Sequence, residues 1–371
     1  MIHTDAIIHN FREVCRLAGS DSPIAPVIKS DAYGHGWVGV STALAQAGAD
    51  RFCVSLTEEG VKLRDAGCRT PILVLGGVYL NQARDIILKD LTAVITSLSM
   101  ARALNEAAET LGRTANIHVK IDTGLGRLGI LEREVPAFFD SLKKLPWVHV
   151  EGICSSFSSI SDLEFSEKQF NVFERIAKQA ELIYGKPLLC HIAHSGGLLR
   201  GLSRPGWLIR PGIMLYGYTR DLPTIGVNLK PVLTWKTAIF KVQAYPSGSP
   251  IGYGGKYKTK TGSRIALLPV GYTDGLFRSY VQKGEVLVRG TRAPIVGSPS
   301  MDWTMAEVGH IKNVIPEDEV ILIGSQGNEQ ITADEMAERA GTIIDEVFIS
   351  IGKRIPRIYQ SQVKASKESG I

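Results

Sequence analysis

"FCVSLTEEGVKLRDAGCRTPILVLGG", residues 52–77, holds two apolar runs of the kind buried strands use, separated by one amphipathic stretch. The outer runs, "FCVSL" (52–56) and "PILVLGG" (71–77), lack the alternation of a strand with one wet face, so both faces are expected to be covered. Between them, "TEEGVKLRDAGC" (57–68) offers Thr57 as an N-cap, Glu58 and Glu59 at the positive end of the helix dipole, and Gly67 as a stop. Strand, helix and strand with short connections form the unit from which parallel sheets are built.

The same unit repeats on either side. Further apolar runs are "PVIK" (26–29), "LTAVITSL" (91–98), "NIHVKIDTG" (116–124), "VHVEGICSS" (148–156), "LLCHIAHS" (188–195) and "LIRPGIMLYG" (208–217), eight in all with the first two. Eight strand–helix units predict an α/β fold, a closed (β/α)8 TIM-type barrel. The alternative is an open doubly wound sheet, which ranks lower because no GxGxxG follows the first strand. After about residue 222 the runs "VLTWKTAIFKVQAY" (232–245), "RIALLPV" (264–270), "GEVLVRG" (284–290), "APIVGS" (293–298) and "EVILIGS" (319–325) are punctuated by Gly and Pro and mostly not separated by helices. The expected domains are a barrel over 1–222 and a β-rich domain over 223–371. One helix is expected at "TADEMAERAG" (332–341), with a capping box of Thr332 and Glu335 and a stop at Gly341. The tail "ASKESGI" reads as frayed.

Composition narrows the function classes. The chain of 371 residues is 44% apolar and 21% charged, with a net charge of +5, ordinary values for a folded protein. No run of consecutive basic residues accompanies the small positive charge, so neither nucleic acid nor a membrane is the expected partner. The five cysteines, Cys15, Cys53, Cys68, Cys154 and Cys190, are scattered and never form CxxC, which argues for a reducing compartment and against a zinc site. With no signal-like N-terminus and no apolar stretch near ~18 residues, a cytoplasmic protein is expected.

In a barrel of this kind the chemistry gathers where the strands end. Strand one ends on Lys29, with Tyr33 and His35 beyond it; strand five carries Lys120 and Asp122 and runs into "GLGRLG" with Arg127. Strand six ends at Ser155 and Ser156, strand seven at His191, His194 and Ser195 before Gly196 and Gly197, and strand eight at Arg210 before Pro211, Gly212 and Ile213. Carboxylates are nearly absent, Asp31 and Asp122 being the main exceptions, so a metal site or a glycosidase pair is disfavoured. A lysine facing glycine-rich turns that offer backbone N–H groups to a phosphate points to pyridoxal 5'-phosphate, held as a Schiff base. Each of these residues taken alone reads as readily as a solvated lysine, a structural arginine or an ordinary turn.

The residues also carry a resemblance. "PVIKSDAYGHG", "KIDTGLGRLGI" (120–130), "IRPGIMLYG" (209–217), "GYGGKY" (252–257), "PVGYTDG" (269–275) and "SMDWTM" (300–305) resemble the signature segments of the alanine racemase family, in its order. The resemblance spans nearly the whole chain. It implies a pyridoxal phosphate-dependent isomerase of barrel-plus-β-domain fold, a homodimer whose active site is completed by the partner's second domain. Position by position it implies Lys29 as the Schiff-base lysine and Tyr33, Ser195, Gly212 and Ile213 as phosphate contacts. Arg210 would sit against the pyridine nitrogen with His191 as its neighbour, and Arg127 would reach the phenolic oxygen and the substrate carboxylate. Lys120 matches a lysine often carbamylated in the family; Tyr253 is implied as the second base, with Tyr272 and Met301 at the substrate pocket.

Four positions depart from the family pattern. Ser156 stands where a histidine is usual, His194 where an asparagine is, Ser300 for a cysteine and Asp345 for a tyrosine that narrows the entrance. The first two raise the expectation that His194 compensates for Ser156. Asp345 raises the alternative of a racemase shifted toward serine or basic amino acids such as lysine or ornithine. A same-fold decarboxylase and a non-catalytic pyridoxal phosphate-binding protein are the remaining alternatives.

Overall fold

The computed structural model describes residues 1–220, 222, 226–280 and 283–361. The chain forms two compact units: one of Ala6–Ala32 and Gly36–Lys230, the other of Met1–Asp5, Tyr33–His35 and the chain from Pro231. The expected boundary at 222/223 abuts residues outside the described set, as does the tail "ASKESGI".

The first unit is a parallel α/β barrel. Six strands, Phe52–Val54, Ile72–Val74, Leu91–Ile95, Ala115–Lys120, Val148–Cys154 and Leu189–His191, pair in chain order, each parallel to the next. The first and last expected strands are not regular strands. Their segments join the ring through single parallel bridges, Val27 to Cys53, Ile24 to Ile209 and His194 to Arg210. The ring nonetheless closes: Ala25 N donates to Ile209 O and Val27 N to Pro211 O, both at 2.8 Å. Pro23, Pro26 and Pro211 each lack a donor, which limits how far a ladder can run there.

Helices separate the strands as expected, with local corrections. The helix Thr57–Asp65 is preceded by Leu56, and Thr57 is its first residue rather than its cap. The Glu59 carboxylate does the capping, accepting from Ser55 N and Leu56 N at 2.8 and 3.1 Å, while the Thr57 hydroxyl donates to Gln82. Gly67 follows the helix at φ +90°, a conformation that favours glycine.

The second unit is antiparallel. Its eight-stranded sheet runs Glu329–Ile331, Glu319–Gln326, Glu285–Val288, Thr291–Val296, Thr304–Glu307, Arg264–Leu268, Lys241–Ala244, with Trp235–Ala238 also on Glu319–Gln326. The expected single strand over 232–245 is thus two. Only Ile239 and Phe240 separate strands at opposite ends of that order, so the sheet curls on itself. Thr332 caps the helix Ala333–Ala340 and Gly341 ends it in the left-handed region, but only half of the expected capping box forms. The Glu335 carboxylate goes to Arg292 and Arg339 instead. No helix among the described residues is long and apolar enough to cross a membrane.

Candidate active site

Lys29 sits, half-buried, where the first barrel segment ends. The chain then makes a left-handed turn with φ of 53°, 56°, 53° and 54° at Ser30, Asp31, Ala32 and Tyr33. Each non-glycine residue in that region costs on the order of 1–2 kcal/mol, so the turn persists only because its surroundings impose it. Ser30 N donates to Glu59 Oε1 at 2.6 Å, Ala32 N to Ile28 O, Gly36 N to Asp31 O and Trp37 N to Asp31 Oδ1. Asp31 therefore shapes the turn that follows the lysine.

Asp122 plays the same part on the fifth strand. Its Oδ1 accepts from the backbone N–H groups of Gly124, Leu125 and Gly126 and its Oδ2 from that of Arg127. Burial alone would raise its pKa, but these four amides more than offset that and hold it below the usual range. "GLGRLG" is thus a loop whose first four residues wind round a carboxylate, the fourth being an exposed Arg127. Both strand-end acids are taken up by backbone amides.

Lys120 is buried at the end of its strand and donates from Nζ to Ser156 Oγ at 2.7 Å. Burial pushes its pKa down to about 7, helped by the charges of Arg210 and Arg127 against the opposing effect of Cys154. On the neighbouring strands His191 is fully buried. His194 precedes the short helix Ser195–Leu199 and its Nδ1 accepts from Gly196 N at 3.0 Å. Desolvation first, then Arg210 and Arg220, push the His194 pKa down to about 4, so the ring is neutral. The buried Ser195 Oγ accepts from Gly212 N at 2.9 Å, which brings a hydroxyl and the start of the turn Ile213–Tyr216 together. Arg210 is buried, and its Nη2 donates to Ser155 O and Ile192 O at 2.7 and 3.1 Å. The barrel end is therefore cationic, a field that suits an anionic ligand.

The other expected residues lie in the second unit, where Tyr253, Tyr272, Ser300 and Met301 stand on adjoining loops. Tyr253 is 75% exposed beside a cavity of about 370 Å³ lined by Gly252, Ser298, Ser300 and Met305. Tyr272 N donates to Ser300 O and Thr273 N to Met301 O, both at 3.1 Å, so the loops bearing Tyr272 and Met301 are stitched together. Gly271 permits this approach, since a Cβ there would lie 2.2 Å from Met301 O. Ser300 Oγ accepts from Trp303 N at 3.0 Å and closes the turn that presents Met301. Asp345 stands, partly exposed, in the first turn of the helix Ile344–Ser350. Tyr33, in its left-handed conformation, also belongs to this unit.

Several functional-looking groups escaped the sequence reading, chief among them Arg51, His118 and Glu151, which join His191 in one hydrogen-bonded chain. The signal for His118 in the sequence is Asn116, His118 and Lys120, polar at every second position of an otherwise apolar strand.

Pyridoxal phosphate requires an amine for its aldehyde carbon, donors for its phosphate and a partner for its ring nitrogen. Lys29 would supply the first, and the Ser195 hydroxyl, whose oxygen accepts from Gly212 N, would have its own hydrogen free for the second. Arg210 Nε, buried and without a hydrogen-bond partner among the described residues, fits the third. A parallel barrel so equipped, joined to a β-rich unit, belongs to the class of barrel-type pyridoxal phosphate enzymes. Comparison makes the class specific: the profile "Alanine racemase, N-terminal domain" matches residues 2–220, and "Alanine racemase, C-terminal domain" matches 232–359. An alanine racemase of Syntrophobacter fumaroxidans is 41% identical over 350 residues, covering 94% of this chain and 93% of that protein. One from Geobacter sulfurreducens is 40% identical over 362 residues, covering 95% and 94%. Among solved structures, alanine racemase of Clostridium difficile 630 superposes with a TM-score of 0.91 at 32% identity, covering 97% and 95%. That of Bacillus anthracis with bound L-Ala-P gives 0.89 at 32%, covering 98% and 95%. The chain belongs to the alanine racemase family, a pyridoxal phosphate-dependent family of isomerases.

Proposed function

We propose that the chain interconverts L- and D-alanine, with Lys29 and Tyr253 as bases on opposite faces of the substrate α-carbon, in a homodimer whose second unit completes the partner's site. The observation that carries this is the lysine held at a cationic barrel end by a strained turn, in a chain about 40% identical along its length to alanine racemases. Racemisation removes a proton from one face of the α-carbon and delivers one to the other, so two opposed acid–base groups are needed. Bound pyridoxal phosphate supplies the electron sink for the carbanion.

Lys29 would hold the cofactor and, once released by substrate, exchange the proton on one face; Tyr253 would exchange it on the other. Tyr33, the Ser195 hydroxyl and the backbone N–H groups of Gly212 and Ile213 would take the phosphate. The Arg210 guanidinium has only donors to offer and would leave the ring nitrogen unprotonated, which would weaken the electron sink and limit side reactions. His191 would support Arg210, and Arg127 would bind the phenolic oxygen and the substrate carboxylate. Tyr272 and Met301 would line the pocket. A tyrosine that is largely exposed in its own unit is what reaching a partner's site requires.

The test is α-proton exchange of each alanine enantiomer in deuterium oxide with chiral analysis of the product. Tyr253→Phe is expected to abolish exchange from one enantiomer far more than from the other, and equal loss from both would refute the two-base assignment. Mixing inactive Lys29→Ala and Tyr253→Phe subunits is expected to restore activity if sites are shared, and no restoration after verified subunit exchange would refute sharing.

A further inference from the structure

Glu151 is the extra residue of a β-bulge. Strands Ala115–Lys120 and Val148–Cys154 pair up to Ile117 opposite Val150 and resume at His118 opposite Gly152, which leaves Glu151 without a partner. Bulges re-aim side chains. Here Arg51 Nη1 and Nη2 donate to the Glu151 carboxylate at 3.1 and 2.8 Å, and His118 Nε2 lies 3.0 Å from Glu151 Oε2. His118 Nδ1 in turn lies 2.8 Å from His191 Nε2, with both rings fully buried. Gly152 makes room for this, because a Cβ there would stand 2.5 Å from His118 Nδ1 and 2.4 Å from Leu189 O.

Every proton in the chain can be placed. An ionised carboxylate only accepts, so His118 Nε2–H is the donor to Glu151. Glu151 is held ionised: burial opposes this, but His118 and Arg51 pull its pKa well below the carboxylate range. Burial also lowers the pKa of both imidazoles, most strongly that of His191, so each is neutral and has one N–H. His118 Nδ1 is then a lone pair, His191 Nε2–H donates to it, and His191 Nδ1 is left as an acceptor. That atom is buried without a partner among the described residues, and the largest charge acting on its ring is that of Arg210.

We propose that Arg51, Glu151 and His118 are positioning residues that hold His191 in its Nε2–H tautomer, so that a lone pair and not an N–H is available to the Arg210 guanidinium. The other tautomer would set a donor against a cation that has only donors. The relay thus carries the orientation of a salt-bridged carboxylate through the barrel interior to the strand end. Its catalytic consequence rests on the reading of Arg210 as the cofactor's partner; the tautomer itself does not.

The test is ¹⁵N NMR of the holoenzyme with labelled histidines, in which long-range ¹H–¹⁵N correlations report which ring nitrogen bears the proton. His118→Gln and His191→Gln assign the signals. Wild type is expected to show His191 protonated at Nε2. Glu151→Met is expected to yield a tautomer mixture and about a 10-fold fall in kcat with KM little changed, and Glu151→Gln, whose amide oxygen still accepts, to restore the single tautomer. His191 protonated at Nδ1 in wild type, which needs no variant to fold, overturns the proposal, as does an unchanged tautomer in folded Glu151→Met. Cofactor absorbance indifferent to Arg210→Lys would instead overturn the reading of Arg210 and leave the tautomer result standing.

Discussion

Lys120 Nζ donates to Ser156 Oγ at 2.7 Å, so a buried amine on one strand has a neutral hydroxyl as its partner on the next. With a pKa near 7 against 10.5 for the free side chain, the amine is charged in both folded and unfolded chains below pH 7, and its burial penalty is then present in full. Between pH 7 and 10.5 the unfolded chain binds the extra proton, so stability rises with pH. Lys120→Met is expected to raise stability more at pH 6 than at pH 9, by on the order of 2 kcal/mol in urea titrations. Equal gains at both values would show that the amine is not desolvated.

His194 has the same sign of effect on the acid side. Its folded pKa of about 4 lies below the free value of 6.5, so as pH falls through that window the unfolded chain takes up a proton the folded ring refuses, and stability is lost. His194→Asn keeps an acceptor for Gly196 N–H and removes the titration. Its urea midpoint is expected to fall less than that of wild type between pH 6.5 and 4.5. The expectation that His194 stands in for a histidine at 156 gains nothing from this geometry, because one ring nitrogen is already committed to the helix start.

Arg354 ties down the loops that bear Tyr272 and Met301. It donates to buried Asp274 at 2.6 and 2.9 Å and to exposed Asp302 at 2.7 Å, while Asp274 accepts from Gly271 N. Arg354→Ala leaves the buried Asp274 carboxylate without its cation and is expected to lower stability more than loss of the exposed Asp302 does. Asp302→Ala is expected to cost under about 1 kcal/mol. Chemical denaturation of both variants checks the order, and equal losses would contradict it.

Glu59 joins the left-handed turn after Lys29 to the start of a helix through three backbone N–H groups. Glu59→Ala is expected to lower stability by about 2 kcal/mol and to weaken retention of pyridoxal phosphate on dialysis. Ser30→Gly keeps the N–H and relieves the left-handed strain, so a gain of about 1 kcal/mol is expected. A loss there would mean that the serine side chain matters more than its backbone.

The barrel was legible because buried parallel strands write continuous apolar runs, and "FCVSL", "PILVLGG" and their counterparts do so. The first and last runs look the same in sequence yet form single bridges, since prolines interrupt their ladders. Thr57 and Glu335 show a related limit: both satisfy a local capping pattern, and both are drawn to partners 25 and 43 residues away in Gln82 and Arg292. Asp31 and Asp122 read as scarce acids at strand ends, but a carboxylate's use depends on which amides curl round it.

From sequence alone came the strand–helix order, the change to a β-rich unit and the lysine at the first strand end, because periodicity, glycines and motif order are local properties. Tertiary structure decided the left-handed turn behind Lys29, the neutral tendency of Lys120 and the proton placement from Glu151 to His191. Those depend on distances between strands far apart in the chain, and on burial, which removes the water that would otherwise satisfy each group separately.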